Sequence, residues 1–120
     1  MFIPPAVPPP PFELDRTEFA VSDIPPGPCQ LMTIVVNPGK EPRRILGTQG
    51  RCIANCCTKP LQEEAIVVPP GGSAEVKFQV VASVPGPIAA EFLIYLEENG
   101  IRTVTLRVTG NAVEAPRAPK

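Results

Sequence analysis

Ala74-Glu75-Val76-Lys77-Phe78-Gln79-Val80-Val81 alternates apolar and polar residues with a period of two, the pattern of a strand with one buried face. Val76, Phe78 and Val80 are expected to face a core, with Glu75, Lys77 and Gln79 facing water. Pro69-Pro70-Gly71-Gly72 fixes where this strand starts. Downstream, Ile88 to Glu97 and Ile101 to Thr109 form two further strands joined by Glu98-Asn99-Gly100. Asn-Gly is a strong hairpin signal, because both central residues of a type I′ turn need positive φ. Upstream, Gln30 to Asn37 is a β-branched run closed by Asn37-Pro38-Gly39, and Arg43 to Thr48 is a shorter apolar strand ended by Gly50. Glu63 to Val68 makes another, and Phe12 to Val21 is a broken first strand.

About seven strands, separated by turn residues at short intervals and with room for few helices, predict an all-β fold: an immunoglobulin-like antiparallel β-sandwich. A chain of 120 residues fits one domain and buries roughly 65% of its unfolded surface. The expected organisation is a Pro-rich extended arm over residues 1–12, the sandwich over 13–113 and a flexible tail over 114–120. Met1 to Phe12 holds six prolines, which lack backbone donors and fix φ, so the arm is expected to be an extended spacer.

Composition removes several functions. Eleven Lys and Arg against twelve Asp and Glu leave a net charge of −1. With no basic stripe and few aromatic residues, neither counterion release nor base stacking has the residues it needs, so no nucleic acid partner is expected. No stretch approaches the roughly 20 apolar residues of a spanning helix, so direct membrane insertion of this segment is not expected. The N-terminus lacks the order of a signal peptide, which places any export signal or anchor of the natural protein upstream of Met1.

The four cysteines supply the chain's distinctive chemistry. Cys52, Cys56 and Cys57 fall within six residues and Cys29 stands apart. All four are disulfide candidates. A Cys56 to Cys57 bridge would strain the peptide between them. A bridge from Cys52 to either neighbour is therefore favoured, leaving the other thiol free or paired with Cys29. Cys29 follows Pro25-Pro26-Gly27-Pro28 at the start of a strand, where a buried core thiol is the default. The alternative is a soft-metal or thiol-redox site, in which thiolates at Cys52, Cys56 and Cys57, with Cys29 as a fourth ligand, would hold copper or zinc. Arg51 and Lys59 beside the cluster could lower a thiolate pKa. Against the metal stand the non-standard Cys-x3-Cys-Cys spacing and the absence of histidine.

The same absence removes Ser-His-Asp and Cys-His pairs. Glu63-Glu64 and Glu97-Glu98 are adjacent, and neighbours on a strand point to opposite faces, so neither pair converges on a substrate. Gly71-Gly72-Ser73 enters a strand and lacks the lysine and helix of a phosphate loop. No catalytic residue and no cofactor are expected, and the chain is not expected to be an enzyme. A true immunoglobulin domain is also rejected, because there is no tryptophan and no cysteine in Ile88 to Glu97.

Over Leu14 to Val113, the order Thr17-Glu18-Phe19, Asn37-Pro38-Gly39-Lys40-Glu41-Pro42, Asn55-Cys56-Cys57-Thr58 and Val68-Pro69-Pro70-Gly71-Gly72 resembles a bacterial immunoglobulin-like family of unknown function. Members of that family carry a Phe-Gly start, an Asn-x-Gly-x-x-Pro-Leu segment, a Ser-Cys-Gly-Cys-Thr motif and a Pro-Gly strand entry. Asn55 stands where the family's first cysteine would be. The closing Leu106-Arg107-Val108-Thr109-Gly110-Asn111 is similar to the end of that domain and of its relatives, the major-sperm-protein and cilia-associated ASH-type sandwiches. The resemblance implies a fold and an extracytoplasmic setting, periplasmic or on the cell surface, and no reaction. The expected function is a non-catalytic structural or protein-protein interaction module whose partner is another protein.

Overall fold

The computed structural model describes residues 10–24, 28–62, 64–98 and 100–113. Nine strands run β1 (Glu13–Leu14), β2 (Glu18–Ile24), β3 (Cys29–Val36), β4 (Arg43–Ala54), β5 (Cys56–Pro60), β6 (Ile66–Val68), β7 (Ser73–Ala82), β8 (Gly86–Glu97) and β9 (Ile101–Ala112). They form one continuous ladder in the order β1-β3-β7-β5-β4-β8-β9-β2, with β6 also on β4. The ladder curls so that β1-β3-β7-β5 lies over β4-β8-β9-β2, which makes the molecule an immunoglobulin-like β-sandwich.

Val76, Phe78 and Val80 are buried as their alternation requires. Phe78 stacks on Phe92 of the opposite layer at 4.5 Å between ring centroids, and Phe19 meets Phe78 edge-on at 5.5 Å. Ile88, Ala90, Ile94 and Leu96 of β8 and Val104, Leu106 and Val108 of β9 complete the core. The β8–β9 hairpin is in register from Gly86↔Ala112 to Glu97↔Ile101. Gly100 has φ +111° and its carbonyl accepts from Glu98 N. Asn99 lies outside the described residues, as do the arm up to Pro9, Pro25-Pro26-Gly27, Glu63 of the Glu63-Glu64 pair, and the end from Glu114.

Several features differ from expectation. The first strand is split between layers, with β1 on β3 and β2 on β9. β2 runs parallel to β9, so the sandwich is not wholly antiparallel; every other pairing is. The cause is that the chain changes layer at Asp15–Thr17 without reversing, and meets at the far edge a strand running its own way. β4 does not end near Gly50 but continues to Ala54. Gly50 serves close approach there, since a Cβ would strike the Thr58 carbonyl oxygen. Finally, the cysteine-bearing turn at Asn55 to Thr58 is mostly strand β5, and only Asn55, at φ +55°, turns the chain.

Side chains hold the places where the chain leaves one layer. The Asp15 carboxylate accepts from Thr33 Oγ1 at 2.7 Å and from Ile34 N at 2.8 Å. Between β3 and β4, the fully buried Asn37 donates Nδ2 to the carbonyls of Glu41 and Val68, while its Oδ1 accepts from Gly39 N and from Arg43 Nε and Nη2. Arg43, also buried, donates Nη2 to the Pro10 carbonyl and lies 4.4 Å over the Phe12 ring. Phe12, expected at the end of the arm, is thus part of the core.

Phe78→Ala is expected to cost about 3–5 kcal/mol, because it empties the centre of the three-ring cluster, and a denaturant midpoint series reads this directly. The hydrogen bonds from Ile34 N and Thr33 Oγ1 hold the Asp15 carboxyl below its ordinary range. The stability this gives is present above the ordinary carboxylate pKa and is lost as pH falls through the folded one. Asp15→Asn should therefore flatten the loss of stability below about pH 4; an unchanged urea midpoint profile between neutral and acid pH would refute the assignment.

Candidate functional site

The cysteines separate onto two faces. Cys52 on β4 lies opposite Cys57 on β5, with Cα atoms 4.0 Å apart, and the two form a disulfide. Cys52 is exposed and Cys57 half-buried, so the bridge faces solvent. Cys56 and Cys29 are free thiols. Cys56 is buried in the core, and burial pushes its thiol pKa up. Cys29 is half-buried and packs against the same core. These two flank β7, where Cys56 lies opposite Ala82 and Cys29 opposite Val80. Two strand spacings put them about 10 Å apart, beyond the reach of a bridge. The four sulfurs that would form the copper or zinc set are therefore not brought together. Among the described residues, no three His, Cys, Asp or Glu side chains are grouped to hold a metal ion.

The disulfide sits at the corner where the two layers join. Cys52↔Cys57 is the one residue pair between β4 and β5, after which β5 turns to pair with β7 from Cys56↔Ala82 to Pro60↔Phe78. The Thr58 hydroxyl bridges the opening: it accepts from Arg51 N at 3.0 Å and donates to the Glu91 carbonyl. Asn55 ties the hairpin tip to the β7–β8 connection, donating Nδ2 to the Val84 carbonyl and accepting Val84 N on Oδ1. Ile53 and Val84 are exposed apolar residues at this end.

The ladder has two ends. At one, β2 carries Asp23 at φ +57° and a register shift between Val21 and Ile24, which break the regular edge another strand would need. At the other, β1 covers only Val35 and Val36 of β3. Ile34 points its backbone N–H and C=O away from β7, toward Asp15. By the two-residue alternation of an antiparallel ladder, Met32 and Gln30 point theirs the same way. Among the described residues nothing pairs with them. The core is open on this side, since Cys29 and Leu31 face it yet are half-buried, whereas Thr33 and Val35 further along β3 are fully buried. The residues of this lane, Cys29 to Thr33, carry no charge, proline or bulge. Sequence reasoning missed this edge because it depends on where β1 leaves its lane, which no local pattern encodes.

No protein-family model matches the chain, and no curated protein sequence matches it. Its fold is similar to that of several solved structures. The ASH / PapD-like domain of human CEP192 (PapD-like domain 7) superposes with a TM-score of 0.66 at 12% identity, over 97% of this chain and 96% of that one. WR4, a major-sperm-protein family member of C. elegans, does so at 0.54 and 9%, over 85% and 97%. The VesB protease of Vibrio cholerae matches at 0.63 and 14% over 83% of this chain, which spans only 31% of the protease. At these identities the likeness concerns fold alone. It agrees with the major-sperm-protein and ASH-type sandwiches that the sequence resembles.

Replacing both bridged cysteines, Cys52→Ser with Cys57→Ser, should lower stability by about 2 kcal/mol, the amount for so short a closed loop. Loss of the folded state in the double variant would show instead that the bridge holds the sandwich together.

Proposed function

We propose that this domain is a non-catalytic structural or protein-protein interaction module of a bacterial extracytoplasmic protein, of the kind the sequence resemblance implies. In this reading the Pro-rich arm over residues 1–12 is a spacer, the sandwich over 13–113 is the working part, and residues 114–120 form a tail. The observation that carries it is the solvent-facing Cys52–Cys57 disulfide. Exposed disulfides persist where the surroundings are oxidising and are rare in reducing compartments. This one makes two of the clustered sulfurs a structural staple. Several polar groups near the layer crossings are similarly engaged: Asp15 by Thr33 and Ile34, Arg43 by Asn37 and Pro10, Thr58 by Arg51 and Glu91. The partner is another protein, and the near-neutral charge speaks against nucleic acid.

The competing copper or zinc function needs those sulfurs as thiolates, whereas a thiol-redox protein would cycle the Cys52–Cys57 pair between dithiol and disulfide. Intact mass of protein purified without reductant, alkylation in denaturant and metal content on one sample decide between the two. The module predicts a mass lower by one pair of hydrogens, two reactive thiols at Cys29 and Cys56, and no stoichiometric metal. Four reactive thiols with about one bound metal per chain would overturn it.

A further inference from the structure

We propose that the open lane beside β3 takes an extended segment of another protein as an added strand, antiparallel to β3 and bonded to the backbone of Gln30 and Met32. This rests on the reading of the domain as an interaction module and names the surface such a module would use.

The lane is already shaped for a strand. β1 occupies its far end, antiparallel to β3 at Val35 and Val36, and departs after Leu14. What remains runs from Thr33 back to Cys29, about 17 Å at the rise of an antiparallel strand. Four backbone groups face it, the N–H and C=O of Gln30 and of Met32, unpaired among the described residues, and a regular edge of unpaired groups is a template for another strand. Proteins guard such edges with charge, proline, bulges or shortness. The β2 end of the ladder has the bulge; the β3 lane has none of these devices.

The chemistry of the occupant follows from the two faces of the lane. Residues of the incoming strand opposite Leu31 and Cys29 would face the core, and the half-buried state of those two side chains shows apolar surface left to cover. These positions call for apolar side chains, alternating with residues that face solvent beside Gln30 and Met32. The five lane residues carry no charge, so an uncharged segment fits and charge pairing contributes nothing. Proline is excluded opposite Gln30 and Met32, where the partner's N–H must donate. That excludes the Pro8 to Pro11 run of this chain's own arm.

The test is amide hydrogen exchange of Gln30 and Met32, followed by NMR in the full chain. The probe is a synthetic peptide alternating valine and threonine over about seven residues, a common strand length, with a lysine at each end and a control carrying a central proline. The alternating peptide should slow exchange at both amides by at least tenfold, and the control should not. Met32→Pro removes a donor that points into the lane and leaves the β7 ladder intact, so it should weaken binding by more than tenfold with little change in the thermal midpoint. Unchanged exchange at both amides in millimolar peptide would overturn the proposal. So would slow exchange without peptide: dependence on protein concentration would mean that a second copy fills the lane, and independence of it that the chain's own residues do. Failure here, with one disulfide and two thiols found by mass, leaves the module standing. Four thiols and a metal would remove the module whatever the exchange result.

Discussion

The sandwich depends on a corner. A single sheet of this length can bury an apolar face only by curling onto itself, and β5 makes that possible by pairing with β4 at one residue and then with β7 for five. The turn would leave backbone groups exposed at the fold line. Gly50 lets the β5 backbone cross at close range, and the Thr58 hydroxyl takes up Arg51 N and the Glu91 carbonyl. With the corner closed, Phe78 of one layer lies on Phe92 of the other, and the remaining core packs around that contact.

The same solution recurs at three of the places where the chain changes layer. Asp15 serves the passage from β1 to β2, Asn37 that from β3 to β4, and Asn55 that from β7 to β8, each through side-chain bonds to backbone that has left its ladder. Asn37, the buried one of the three, would be costly if it were not bonded. All three stand in for ladder partners. Arg43 shows the strain of that arrangement: two of its nitrogens are satisfied by neutral oxygens, while Nη1 is buried without a partner among the described residues.

Much of this was legible in the chain. Val76, Phe78 and Val80 declared their face by alternation, and Asn99-Gly100 marked the β8–β9 hairpin even though Asn99 itself lies outside the described residues. What sequence could not supply was non-local. Cys56-Cys57-Thr58-Lys59-Pro60 has a single β-branched residue, Thr58, no aromatic one, and ends in proline; it is a strand because β7 offers it a ladder. Gly50 resembled a stop but is a crossing point. The pairing of Cys52 with Cys57 was among the options that spacing left open, and the register of one hairpin selects it. The open stretch of β3 follows from the departure of β1, an event with no signature in β3 itself.

The parallel pairing of β2 with β9 also bears on synthesis. Glu18 pairs with Arg107 and Ile24 with Ala112, and a Cβ on Gly110 would strike the Val21 carbonyl, so the two strands meet at full contact. β2, early in the domain, therefore waits for β9, the last strand of the described residues. Until β9 has been made, Phe19 and its neighbours have no edge to join, and the domain cannot complete itself. Such long-range closure slows folding and leaves an apolar strand exposed to chaperones or to neighbouring chains in the interval.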